Sequence, residues 1–156
     1  MFYNGGTKMK KVLTLTLVIA LCFTLVSCTK DKALEPTEDL VNPITLTMSI
    51  TNTVEDDSIG EDFAPVKNVS FIVEEDTTAL EATQIYCVSN DLAIEVDPGN
   101  TYVSSIMNLG EKDAEPTTGW IFKLNGVSGS LGANEEVLKD GDEISWEFVD
   151  FATYSW

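Results

Sequence analysis

The sequence predicts an α+β domain in which one helix packs across a small mixed β-sheet, carried behind an export segment. Three observations predict it. Four stretches alternate apolar and polar residues with the period of two that marks a half-buried strand: Ile44/Leu46/Met48/Ile50, Val69/Phe71/Val73, Trp120/Phe122/Leu124 and Ile144/Trp146/Phe148. A single stretch, TALEATQIYCVSND (78–91), places apolar residues at helical spacing. Strong turn sequences, Asp97-Pro98-Gly99-Asn100, Asn125-Gly126 and Asp140-Gly141-Asp142, lie between these stretches.

The chain opens with MFYNGGTK, followed by MKKVLTLTLVIALCFTLVSC at 9–28. Lys10 and Lys11 give a positive start, and 12–26 is an apolar run broken only by threonines and Cys22. The run is short of the roughly 20 apolar residues of a membrane span and has the flanks of a signal peptide. Leu25-Val26-Ser27-Cys28 has the lipobox form of an aliphatic residue, a tolerated second, a small third and a cysteine. The small residue admits the peptidase, and the thiol of Cys28 takes the diacylglycerol before cleavage. Residues 1–27 therefore read as signal peptide, with Cys28 as the lipidation site. Gly5-Gly6 can be encoded as a ribosome-binding sequence just before the Met9 codon, so Met9 reads as the true start. Thr29 follows the cysteine, so the aspartate that retains lipoproteins in an inner membrane is missing.

Residues 28–43 read as the lipidated cysteine and a flexible linker, TKDKALEPTEDLVNP after Cys28, polar and twice interrupted by proline. A coil of that length separates its ends by roughly 20 Å. The domain, 44–156, begins with the strand at Ile44, apolar on one face and threonine-rich on the other. TVEDDSIGEDFAPVK (53–67) is an acidic loop; it lacks the ordered oxygen spacing of a calcium loop and reads as solvated. After the second strand, Asp76, Thr77 or Thr78 caps the helix, whose inner stripe is Leu80, Thr83, Cys87 and Val88, and Asn90-Asp91 ends it. A short strand at 92–96, a strand at 102–109 and a polar loop at 110–119 follow. The strand at 120–124 ends at Asn125-Gly126, small residues wander through 127–139, and the Asp-Gly-Asp turn launches the final strand. The aromatic end, FATYSW, either extends that strand or covers the sheet edge. Strand, strand, helix, strands is the β-grasp order.

Composition bounds the chemistry. The part from Cys28 on is 129 residues long, with six lysines against 26 acidic residues and no arginine or histidine. Without histidine there is no Ser-His or Cys-His nucleophile pair and no imidazole metal ligand. Without arginine there is no bidentate fork for phosphate. The negative charge opposes nucleic acid and anionic lipid, which leaves the covalent lipid as the membrane anchor. Cys22 leaves with the signal and Cys28 is acylated, so Cys87 has no intramolecular disulfide partner. Its apolar setting reads as a buried, inert thiol. No metal site, no catalytic residue and no cofactor of reaction chemistry is expected.

NTYVSSIMNLG (100–110), GWIFKLNG (119–126) and GANEEVLKDGDEISWEF (132–148) resemble the bacterial surface-protein domain family related to the C-terminal domain of transcobalamin and intrinsic factor. The shared positions are Tyr102, Val103, Ser105, Ile106, Gly119, Trp120, Phe122, Asn125, Gly126, Gly132, Ala133, Asp140, Gly141 and Asp142, with Thr78, Leu80, Glu81 and Ala82 on the helix. The sequence departs at Thr83, where the family has a large aliphatic residue, and at Asn108, where it has glycine. The resemblance implies a β-grasp fold. It also implies a wall of a cobalamin site, whose other wall in transcobalamin is a separate helical domain. One wall buries only part of such a ligand, so corrinoid binding is expected to be weak or to need a partner protein. Sulfur carriers share the fold and the Asp-Gly-Asp turn but act through a free Gly-Gly end, whereas this chain ends Tyr154-Ser155-Trp156.

The expected function is a non-enzymatic, extracytoplasmic lipoprotein binding module for a small, corrinoid-like molecule, with a surface protein or transporter as partner. Its ligand candidates are Tyr102, Trp120, Asn125 and Gly126. Each has a second reading: Trp120 as core beside Phe122 and Leu124, Asn125-Gly126 as a hairpin turn needing positive φ, and Tyr102 facing either way. The alternative function is a structural or adhesion lipoprotein that offers a sheet edge to another extracellular protein.

Overall fold

Among the described residues, seven strands in two sheets and one helix share one core. The computed structural model describes residues 40–56, 59, 63–129 and 131–155. Residues 1–39, which hold the expected signal peptide, start site Met9, lipidation site Cys28 and most of the expected linker, and residues 57, 58 and 60–62 of the acidic loop lie outside the described residues. Strands β1 (Pro43–Asn52), β2 (Val66–Glu74), β6 (Thr118–Leu124) and β7 (Glu143–Asp150) make a sheet in the order β2-β1-β7-β6. β1 runs antiparallel to β2 and parallel to β7, and β6 runs antiparallel to β7. Helix α1 (Ala79–Ser89) crosses one face of this mixed sheet. A smaller sheet, β3 (Ile94–Val96), β4 (Val103–Ile106) and β5 (Leu109–Gly110), packs beside it. The fold is α+β, with the helix-on-sheet arrangement of a β-grasp. It lies within one compact unit, residues 34–156, and its buried core runs from Ile44 to Val149.

The core follows the sequence alternation. Ile44, Leu46, Met48 and Ile50 of β1 and Ile144, Trp146 and Phe148 of β7 are buried on the helix side. β1 opens one residue early, at Pro43, and the Glu74 carboxylate fixes the chain before it by accepting the Val41 and Asn42 amides at 2.8 and 2.6 Å. On β2 the alternation holds only in part: Val73 is buried and Phe71 half-buried, but Val69 is exposed. Beside Val69 the strand bulges: the pairing steps from Met48↔Val69 to Ile50↔Val66, with Asn68 at a φ of 51°.

Three candidate caps for α1 reduce to Thr78. Its hydroxyl accepts from the Glu81 amide and the Glu81 carboxylate accepts from the Thr78 amide, a capping box. The next two helix amides, which have no partner inside the helix, find one in the supposedly wandering segment: Ala79 donates to the Glu136 carbonyl at 2.9 Å and Leu80 to that of Ala133 at 2.8 Å. Leu80, Thr83 and Cys87 are buried as the spacing predicts, whereas Val88 is exposed and Ala82 and Tyr86 complete the inner stripe. Asn90 caps the C-terminus, its side-chain amide donating to the Tyr86 carbonyl at 2.8 Å.

The stretch expected as one strand at 102–109 is a hairpin. Met107 and Asn108 take φ of 54° and 62°, turning β4 back into β5. Positive φ at both central positions is the two-residue hairpin geometry, and Asn108 tolerates it where the related family has glycine. The strand expected from 92 begins at Ile94. Beyond β7 the chain does not extend the strand. It reverses, with Thr153 and Tyr154 amides donating to the Asp150 carbonyl, and the Tyr154 ring lies 5.6 Å from the Lys123 ammonium.

Candidate functional site

A cleft opens at the β6 side of the sheet, bounded by β6 and β7, the start of α1, residues 101–103, Gly129 and residues 131–133. Its apolar wall is Trp120, Phe122 and Trp146, with Leu80, Val103 and Ala133 beneath. The aromatic rings pack in two groups: Phe122 lies 5.5 Å from Trp146, and Trp120 lies 5.2 Å from Phe148 and 6.3 Å from Phe63. The alternation of β6 and β7 puts these side chains on the helix side, and β6 is the last strand of its sheet, so one flank of the aromatic wall stays open.

Both indoles are held by bonds inside the protein. Trp120 Nε1 donates to the Leu109 carbonyl at 2.8 Å, which ties β6 to the small sheet. Trp146 Nε1 donates to Thr83 Oγ1 at 2.9 Å, which ties β7 to the helix. Neither N–H is available to a ligand, so the two rings contribute apolar surface and π faces only. Trp120, at 3 % exposure, is packed in the core, and it also lines the cleft.

Tyr102 stands on the rim, 40 % exposed. Burial pushes its phenol up to about 12, and the nearby Glu111 carboxylate acts in the same direction. It is a neutral hydroxyl throughout the physiological range. Asp97 fixes the segment that carries it. The Asp97 carboxylate accepts from the Gly99, Thr101 and Tyr102 amides at 2.9, 2.6 and 2.6 Å and from the Thr101 hydroxyl. The Thr101 and Tyr102 amide bonds hold its pKa below the usual carboxylate range, with smaller help from Gly99 and the Thr101 hydroxyl. Gly119 has a local reason as well: a Cβ there would lie 2.9 Å from the Phe151 ring and 3.4 Å from the Tyr102 hydroxyl.

The cleft brings together Tyr102 and Trp120 of the four residues singled out from sequence. Asn125 and Gly126 do not line it. They form the turn after β6, with φ of 53° and 77°. The Asn125 side chain accepts from the Glu143 amide and donates to the Asp142 carboxylate, both at 2.9 Å, closing the β6–β7 hairpin. Cys28 lies outside the described residues. Phe122, Trp146, Leu131 and Ala133 line the cleft without having been singled out as ligand residues. Phe122 and Trp146 carried the same inward alternation as Trp120; the loop that brings Leu131 and Ala133 over them carried no periodicity.

The cleft measures about 190 Å³, below the roughly 300 Å³ at which enclosed small-molecule sites begin. It can seat the apolar edge or a substituent of a ligand, not a whole macrocycle. Among the described residues no lysine lines it. Among the described residues no group of three or more metal-ligating side chains comes together. Cys87 is fully buried, and desolvation pushes its thiol up to about 12.

Residues 76–150 match a family model described as a domain of unknown function (DUF4430). No curated protein matches the sequence. Among solved structures, the crystal structure of haptocorrin in complex with Cbi is similar with a TM-score of 0.54 and 15 % identity. The match covers 74 % of this chain and 27 % of the haptocorrin chain, so this chain spans about a quarter of that protein. A candidate metal-binding protein from Ruminococcus gnavus ATCC 29149 is similar with a TM-score of 0.45 and 13 % identity, over 69 % of this chain and 97 % of the other. At these identities the likeness is one of fold.

Proposed function

We propose that this protein is a non-enzymatic binding module held outside the cell by lipid on Cys28, and that its domain supplies one wall of a small-molecule site. The observation that carries the reading is the aromatic cleft. Trp120, Phe122 and Trp146 line a recess open on one flank, and both indole N–H groups are already satisfied within the fold. The fold shared with haptocorrin, solved in complex with Cbi, favours a corrinoid as the ligand. A recess of about 190 Å³ would hold the edge of such a ligand and leave most of it bare, so tight binding needs a second surface from a partner protein.

Equilibrium dialysis of the chain from Thr29 onward against cobalamin tests this. Weak retention that is lost when Leu131→Trp fills the cleft supports the reading. No retention with or without membrane proteins of the host removes the corrinoid. The anchor has a separate test: labelled fatty acid should appear on the protein in its host and disappear in Cys28→Ala. A second reading, a sheet edge offered to another extracellular protein, draws support from β2, where Val69 and Ile72 are exposed at the sheet edge.

A further inference from the structure

The turn after β6 puts a chemically labile dipeptide on the surface. Asn125 and Gly126 are exposed, at φ of 53° and 77°. Leu124 and Val127 close the turn by donating to each other's carbonyls, at 2.9 and 3.0 Å. Two successive positive φ values call for asparagine and glycine, so the backbone itself selects this pair. The pair carries a liability. The Gly126 nitrogen can attack Cγ of Asn125, because glycine has no side chain to block the approach. The N–Cγ bond forms and the Cγ–Nδ2 bond breaks. The side-chain nitrogen leaves as ammonia and takes the proton that Gly126 gives up. Water then opens the succinimide at either carbonyl, leaving aspartate or isoaspartate. Water is the one co-reactant.

One participant in this reaction is free and the other is held. Among the described residues the Gly126 amide has no hydrogen-bond partner, and a Cβ on Gly126 would meet nothing within 4 Å. The Asn125 side chain is bound at both ends: Nδ2 donates to Asp142 Oδ1 and Oδ1 accepts from the Glu143 amide, both at 2.9 Å. Asp142 does not depend on Asn125 for its place. Its Oδ2 accepts from the Lys139 amide at 2.8 Å, and its carbonyl accepts from the Thr47 amide at 3.0 Å. We propose that Asn125 is a deamidation site that the folded chain holds unreacted through Asp142, and that it converts when this end of the β6–β7 pairing opens. The leaving nitrogen cannot depart without giving up Asp142, and the two side-chain bonds tie Asn125 to the start of β7, so ring closure waits on a local opening. The product does not fit back. A carboxylate oxygen in the place of Nδ2 would set a second negative charge against Asp142, and isoaspartate adds a main-chain carbon to a two-residue turn.

Mass spectrometry of the peptide that spans Asn125, after incubation of the protein in mildly alkaline buffer, measures the rate. The folded protein should deamidate at least about tenfold more slowly than the same protein unfolded in urea. Asp142→Ala should raise the folded rate by about fivefold, the effect of losing one hydrogen bond to a charged group. Asp142→Asn keeps an acceptor oxygen and should stay within about twofold of the parent. Thr83→Val separates the guard from global stability: it weakens the fold at α1, leaves the Asn125 bonds in place, and should also keep the rate within about twofold. A folded protein that deamidates as fast as the unfolded one overturns the proposal. So does an unchanged rate in a folded Asp142→Ala, an Asp142→Asn that reacts as fast as Asp142→Ala, or a Thr83→Val that does so. If Asp142→Ala does not fold, the ratio of folded to unfolded rates in the parent and in Thr83→Val decides alone.

Discussion

Replacing Thr83 by valine removes one oxygen from a place with no access to water. Thr83 is 0 % exposed; its hydroxyl donates to the Ala79 carbonyl at 2.7 Å and accepts from Trp146 Nε1 at 2.9 Å. Helix propensity hardly separates the two β-branched residues, and Ala79 keeps its helical acceptor role, so the change falls on the indole. A buried donor left without a partner costs about 1–3 kcal/mol. The added methyl returns up to about 0.8 kcal/mol of burial, which leaves a net loss of about 1–2 kcal/mol. For a domain of this size that is a fall in Tm of roughly 4–8 °C. Urea unfolding followed by far-ultraviolet circular dichroism measures it without relying on the tryptophan that is perturbed. Trp146→Phe removes the donor, so Thr83→Val on that background should cost less, with a coupling of about 1 kcal/mol in the double-mutant cycle. If Thr83→Val lies within about 0.3 kcal/mol of the parent, or the two changes simply add, the hydrogen bond does not do what is claimed for it.

Other outcomes follow from the same geometry. Asn108→Gly relieves the left-handed turn between β4 and β5 and should stabilise by about 0.5 kcal/mol, read from the urea midpoint; a loss would mean the Asn108 side chain matters. Cys87 should resist a thiol reagent in the folded protein and react at the rate of unfolding; fast labelling of native protein would contradict its burial and raised pKa. Asp97 and Asp150 have pKa values below the usual carboxylate range, so what they contribute is present above about pH 4 and lost as pH falls through their lower folded values. Tm should hold between neutrality and about pH 5 and fall below about pH 4, less steeply in Asp97→Asn. Asp97→Ala frees the Tyr102 amide and should weaken retention of any cleft ligand more than Asp150→Ala does, by equilibrium dialysis.

Most of the frame was legible because period and turn chemistry are local. The alternation of β1, β6 and β7 was enough to place Leu46, Trp146 and Phe148 in the core, and the Asn125-Gly126 and Asp140-Gly141-Asp142 turns are where their residues suggest. What stayed hidden depends on contacts between distant segments. Met107 gives no turn signal, yet it sits at a φ of 54° because β5 must return along β4. Thr83 looked like a bare departure from the family the sequence resembles; only the fold shows that the Trp146 indole, 63 residues away, uses that hydroxyl. Half of the candidate site was equally out of reach. Trp120 and Tyr102 announced themselves, but residues 131–133 reach the cleft where the Ala133 and Glu136 carbonyls accept the first amides of α1. Asn125 and Gly126 attracted notice through a conformational demand that the tight turn between Leu124 and Val127 explains, while the Asn125 side chain is spent on Glu143 and Asp142.

The Glu74 carboxylate, which grips the Val41 and Asn42 amides where the chain enters β1, has a mechanical consequence. β1 is flanked by β2 on one side and β7 on the other. If the protein is tethered at its N-terminus, as the lipid proposal requires, a pull in the direction of the strand loads both ladders in shear, many bonds sharing the force, rather than peeling them singly. Resistance of that kind is governed by the unfolding rate rather than by equilibrium stability. Such a domain could be tugged by its partner or by flow and keep its shape, with Glu74 as the first clasp to slip.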